Sequence, residues 1–94
     1  MTDVLPPQVR NFLATTTTCT VGTTRPDGSV RQSVTYFLLA EVDGTDCIVM
    51  STVATRAKAR DVARTGTMSV CAFGNEPPYP AVTVEGPARV LTVA

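Results

Sequence analysis

The segment CTVGTTRPDGSVRQSVTYFLL, residues 19–39, decides the fold class. Residues 19–24 alternate apolar and small polar side chains, which is the period-two pattern of a β-strand. Pro26-Asp27-Gly28-Ser29 predicts a turn, because proline presets φ and glycine tolerates a positive φ. Residues 30–39 are rich in β-branched and aromatic side chains and predict the returning strand. The segment therefore predicts an antiparallel β-hairpin.

Outside the hairpin, the sequence predicts two short helices and three more strands. Two prolines at 6–7 fit a first helical turn, and Val9, Phe12 and Leu13 form an apolar stripe behind them. Alanines interleaved with cations over 52–63 predict a second helix, which Gly66 ends. Strands are predicted at 47–50 after an Asp-Gly turn, at 68–73, and at 81–93 with a break at 86–87. The order α-β-β-β-α-β-β predicts one mainly β domain over residues 1–94, an antiparallel barrel or a strongly curled sheet.

Composition removes several classes of function. The 94 residues include no His, which excludes Ser-His-Asp and Cys-His nucleophile systems and zinc sites that use His. Eight Lys and Arg balance eight Asp and Glu, so neither nucleic acid nor a membrane is expected as a partner. No signal peptide or membrane-length apolar run is visible, and the sequence predicts a cytoplasmic protein without a metal site. Its three cysteines are expected to be small buried apolar residues, with a reactive or metal-bound thiol as the alternative.

The strongest candidate site lies where a strand ends and the second helix begins. Ser51-Thr52 offers two hydroxyls, and Thr55-Arg56-Ala57-Lys58 brings two cations to the helix start. A helix N-terminus with free N–H groups, hydroxyls and cations is what phosphate binding requires. The alternative is a solvated, arginine-rich helix face, which is the preferred interpretation for Arg60 and Arg64.

A second candidate site is the strand over residues 31–36, and a third is a single carboxylate near the end of the chain. Alternation along this strand leaves both of its faces partly apolar. The strand could therefore lie along a flat ring system, or it could be a core strand that faces a second layer. Glu85 could be a buried catalytic carboxylate, but an exposed residue or a partner of Arg89 is the better-supported interpretation.

Three motifs in order resemble the split β-barrel flavin-binding family that includes pyridoxamine 5′-phosphate oxidase. They are Arg25-Pro26-Asp27-Gly28-Ser29-Val30 with its returning strand, Ser51-Thr52-x-x-Thr55-Arg56-Ala57-Lys58 with its helix, and Val82-Thr83-Val84-Glu85-Gly86. The resemblance covers residues 5–94 and is closest to the actinobacterial branch that binds the deazaflavin F420 or FMN. It implies a split antiparallel β-barrel that lacks the C-terminal helix and closing strands of longer members.

The resemblance also implies a division of roles among the candidate residues. Arg56, Ala57 and Lys58 match the positions that hold the cofactor phosphate, with Ser51 and Thr52 beside them. Residues of the hairpin strand run along the ring system, namely Ser33, Val34 and Thr35. The family binds its cofactor at a homodimer interface, so Pro78 and Tyr79 are expected to reach the partner's cofactor.

The resulting hypothesis is an oxidoreductase that uses F420, or alternatively FMN, for hydride transfer to or from a small planar substrate. The absence of His agrees with this, because the cofactor would supply the chemistry and the protein the binding and orientation. No catalytic acid or base is predicted. Two alternatives are a carrier that binds F420 or FMN without turnover, and a β-barrel interaction module without a cofactor.

Overall fold

The computed structural model describes residues 5–51 and 56–91. Its elements follow the order α1 (Pro7–Thr15), β1 (Thr18–Thr24), β2 (Val30–Tyr36), β3 (Leu38–Val42), β4 (Thr45–Val49), α2 (Ala57–Thr65), β5 (Thr67–Phe73) and β6 (Ala81–Pro87). A mainly β architecture with two short helices was predicted from the sequence and is confirmed.

Three predicted boundaries were wrong. The single strand expected over 30–39 is two strands that meet at Phe37, because β2 pairs with β1 whereas β3 pairs with β4. The last predicted strand ends at Pro87 rather than continuing, and the second helix begins at Ala57. Residues 52–55 of that predicted helix and residues 92–94 of that strand lie outside the described residues.

The strands of the described residues pair antiparallel and form two sheets. One sheet has the order β2-β1-β5-β6, and the other contains β3 and β4. The predicted Pro-Asp-Gly-Ser turn joins β1 to β2, with Gly28 at φ 91° and the Arg25 N–H donating to the Ser29 carbonyl at 2.8 Å. Asp43 and Gly44, at φ 51° and 80°, make the two-residue turn between β3 and β4, whose twist suits a tight hairpin.

The core covers one face of the four-stranded sheet. It is built from buried residues of α1, β1, β5 and the β2–β3 junction, namely Leu13, Cys19, Val21, Phe37, Val70 and Ala72. Helix α2 packs against β1 and buries Ala59 and Val62. Outside the core, Arg10 of α1 donates twice to the Asp46 carboxylate of β4, at 3.0 and 3.1 Å.

The other face of the sheet is open within the described chain. Along β2 the exposed and half-buried residues alternate strictly, and Val34 and Tyr36 on the open side are 68 % and 75 % exposed. β6 shows the same alternation.

Neither described helix is long and apolar enough to cross a membrane.

Candidate functional site

Among the described residues, none caps the start of α2 with its side chain. Arg56 precedes the helix in an extended conformation and makes no capping hydrogen bond, and no acidic residue stands in the first turn. The first helical hydrogen bond runs from the Arg60 N–H to the Arg56 carbonyl at 3.1 Å. The N–H groups of residues 57–59 precede that bond and point out of the helix end, where the helix dipole is positive.

Two predicted cations stand at this helix end. Arg56 is exposed and Lys58 is half-buried. Together with the preceding N–H groups they form a cationic cluster of donors, which suits an anionic group such as a phosphate.

The contacts of α2 with β1 show how the helix is oriented on the sheet. Burial raises the pKa of the Cys19 thiol, and the Lys58 ammonium partly offsets that effect. Further along, Asp61 of α2 contacts Thr23 of β1. Arg64, one helical turn later, contacts the carbonyl of the next β1 residue, Thr24, so α2 and β1 run in the same direction.

The register of the strands shows which residues of β2 and β5 lie beside Cys19 of β1. Cys19 stands opposite Thr35 of β2 on one side and Ala72 of β5 on the other. The loop over residues 74–80 follows β5 directly beyond that row. Thr35 and the 74–80 loop consequently lie at the same end of the sheet, and the N-terminus of α2 is directed toward that end.

The three predicted ring-binding residues of β2 divide between its two faces. Ser33 and Thr35 are half-buried on the covered face, whereas the Val34 side chain is exposed on the open face. A cofactor that contacts all three therefore has to lie along the edge of the strand rather than on one face.

The backbone of Val34 offers its own hydrogen-bonding groups at that edge. The Arg25 N–H to Ser29 carbonyl bond and the Phe37 N–H to Thr17 carbonyl bond fix which residue pairs of the β1–β2 ladder exchange hydrogen bonds. Because such pairs alternate, the N–H and C=O of Val34 point away from β1. Within the described residues β2 pairs with β1 alone, so this edge is open.

The loop between β5 and β6 presents the remaining two predicted residues. Pro78 and Tyr79 are both exposed, and Tyr79 adopts a left-handed conformation at φ 55° with its N–H donating to the Glu76 carbonyl at 2.8 Å. The contact of these residues with a partner's cofactor remains a prediction.

Two further predicted residues flank the start of α2. Ser51 is exposed immediately after β4, and Thr52 lies outside the described residues.

Arg60 is exposed, as a solvated helix face requires, and Glu85 of β6 is exposed as well. Arg64 is exposed too, and it also donates to Asp61 Oδ1 at 3.3 Å and to the Thr24 carbonyl.

Sequence reasoning missed Asp61, the most deeply buried carboxylate of the described residues. It is 2 % exposed and accepts hydrogen bonds from Thr23, Arg31 and Arg64. The Arg31 hydrogen bond, helped by the other two donors, holds the pKa of Asp61 below its ordinary value against the opposing effect of burial. An Asp beside Val62 on the inward helix face was the available signal, since a buried carboxylate requires a cationic partner.

Comparison with known proteins assigns the chain to a family. Residues 5–94 match the family model described as pyridoxamine 5′-phosphate oxidase, and the chain belongs to that family. The family is one of flavin-binding proteins, with FMN as a usual cofactor.

A solved structure supports the fold. A protein of unknown function from Agrobacterium tumefaciens superposes with a TM-score of 0.65 at 21 % sequence identity. The match covers 93 % of this chain and 41 % of that one, so this chain spans less than half the length of the protein it resembles. The comparison with curated proteins gave no match.

The residues present fit a flavin-type cofactor. FMN joins a flat ring with a polar edge to a phosphate. A phosphate would find cations and first-turn N–H groups that no described residue caps at the start of α2, and the ring edge would find an N–H and a C=O at Val34 of β2. The N-terminus of α2 is directed toward the end of the sheet that holds Val34 and Thr35.

Proposed function

We propose that this chain is the cofactor-binding domain of an oxidoreductase that uses F420, or alternatively FMN, to transfer hydride to or from a small planar substrate. The observation that carries the proposal is the cationic start of α2, which no described residue caps and which is directed toward the end of the sheet that holds Thr35 and the open edge at Val34. Family membership supports a flavin-type cofactor.

In this proposal the chain binds and orients the cofactor. Arg56 supplies a planar fork of donors and Lys58 a point charge to the phosphate, beside the N–H groups of the first helical turn. The Val34 backbone orients the ring edge, and the half-buried hydroxyls of Ser33 and Thr35 lie on the covered side of the same strand. When bound, the ring accepts or donates the hydride, so no His is required.

The preference for F420 over FMN rests on the Thr55-Arg56-Ala57-Lys58 motif, which resembles the deazaflavin-binding branch. The two cofactors differ at the ring position that carries hydride and in the length of the phosphorylated tail. Titration with both, followed by absorbance and fluorescence, decides between them.

A homodimer with the cofactor at its interface is part of the proposal. The open sheet face exposes Val30, Val34 and Tyr36, an apolar surface that a second copy would cover. Sedimentation equilibrium with and without cofactor tests this, and a monomer under both conditions would refute it.

The phosphate assignment is tested with Arg56→Ala/Lys58→Ala. Each lost charge-assisted hydrogen bond is worth about 1.5–3 kcal/mol, so the double variant should bind the phosphorylated cofactor at least about tenfold more weakly. Arg60→Ala is the matched control, because Arg60 is an exposed cation of the same helix. Unchanged affinity of the double variant would refute the assignment.

Turnover is tested separately from binding. Wild-type protein with reduced cofactor is assayed against a panel of quinones and enones. Oxidation of the cofactor that depends on the substrate supports the oxidoreductase, whereas tight binding without turnover would identify a carrier instead.

A further inference from the structure

Asp61 is the point at which α2 is joined to two strands. Its Oδ2 accepts from Thr23 Oγ1 of β1 at 2.8 Å and from Arg31 Nε of β2 at 2.8 Å. Its Oδ1 accepts from Arg64 Nη1 of its own helix at 3.3 Å. Both carboxylate oxygens are therefore used, and the side chain cannot rotate without breaking a charge-assisted hydrogen bond.

The Arg31–Asp61 pair lies close to both parts of the proposed cofactor site. Asp61 follows Lys58 by three residues, a rise of about 4.5 Å along a helix. Arg31 precedes Ser33 by two residues, about 7 Å along a strand. Across residues 5–51 and 56–91, the Arg31–Asp61 contact is the one side-chain hydrogen bond between α2 and β2.

We infer that Arg31 and Asp61 are positioning residues, which hold the start of α2 at a set distance from the edge of β2 so that one cofactor can occupy both. This inference rests on the proposed function. A molecule whose ring is seated on β2 reaches the helix donors only if α2 is held in place, and a displacement of about 1 Å is enough to weaken such contacts severely. Thr23 and Arg64 orient the carboxylate toward Arg31.

The test measures the phosphate advantage, defined as the Kd of the phosphate-free chromophore divided by the Kd of the phosphorylated cofactor. Riboflavin is compared with FMN, and the deazaflavin chromophore without its tail is compared with F420. In Arg31→Gln and Asp61→Asn the phosphate advantage should fall at least about fivefold while the chromophore alone binds as in wild type, as expected for two coupled sites.

Two variants sharpen this test. Arg31→Lys keeps the charge and should retain a larger phosphate advantage than Arg31→Gln. Arg60→Ala removes an exposed cation of the same helix to which the proposal gives no part in orienting Asp61, so it should keep the wild-type advantage. Arg31 is 30 % exposed, so its replacement is the milder change should Asp61→Asn fail to fold.

The possible failures are distinguishable. A variant that merely unfolds part of the population weakens both ligands equally and leaves the ratio unchanged, which would refute the positioning role. A phosphate advantage in Arg31→Gln equal to that of wild type would also refute the positioning role. A wild-type protein with no phosphate advantage for either cofactor would refute the proposed function itself.

Discussion

Gly66 ends α2 and allows β5 to start at the next residue, and we expect its replacement by Ala to cost stability through the backbone alone. Its φ is 73°, and its N–H donates to the Val62 carbonyl at 2.7 Å. An added Cβ would meet no atom within 4 Å, so no steric clash contributes. The remaining cost is the left-handed conformation, about 1–2 kcal/mol for a residue with a Cβ.

Gly86 in β6 provides the matched control. An added Cβ there also meets nothing within 4 Å, but its φ is not in the left-handed range. Both changes to Ala reduce the entropy of the unfolded chain by the same amount, which stabilises the fold by about 0.4–1 kcal/mol. That contribution cancels in the comparison, so Gly66→Ala should be about 1–2 kcal/mol less stable than Gly86→Ala.

Urea unfolding followed by circular dichroism measures this difference, with both variants at the same protein concentration. With an m-value of about 1 kcal/mol/M for a domain of this size, the two midpoints should differ by about 1–2 M. Equal midpoints, or a lower midpoint for Gly86→Ala, would show that the left-handed conformation at Gly66 is not what ends the helix.

Two further outcomes test the core and the buried carboxylate. Leu13→Ala should lower the free energy of unfolding by about 2–5 kcal/mol because Leu13 is 1 % exposed. Leu91 is 69 % exposed, so Leu91→Ala should change this free energy by less than about 0.5 kcal/mol. Similar losses for the two variants in urea melts would contradict the described core. Asp61 has a pKa below its ordinary value of 3.8, so its ionised form stabilises the fold above that pH, and this contribution is lost as the pH falls through the lowered folded-state value. The stability gap between wild type and Asp61→Asn should thus be constant at neutral pH and shrink below about pH 4. A gap that is unchanged down to pH 2 in acid titrations would contradict the assignment.

Local conformational preferences made several features predictable from the sequence. Gly28, Gly44 and Gly66 take positive φ where turns and a helix end were expected, because these requirements depend on one residue and its neighbours. The cations at the start of α2 were predictable for the same reason, since helix starts are encoded within a few residues.

The break at Phe37 was not predictable in this way. The apolar run through residues 36–39 contains no Gly or Pro, and the strand ends only because the chain exchanges β1 for β4 as its partner. A change of pairing partner depends on residues distant in sequence, which local propensity does not encode.

The sequence by itself determined the turns, the helix ends and the residue types that suit a phosphate. The tertiary structure alone decided that Thr35 and the 74–80 loop share one end of the sheet and that the start of α2 is directed toward it, because that depends on the register of β1 with its neighbours and on the contacts of α2 with β1. It also decided the role of Asp61, whose partners Arg31 and Thr23 are 30 and 38 residues away in the chain. A buried carboxylate is stable only beside its donors, and folding alone brings them together.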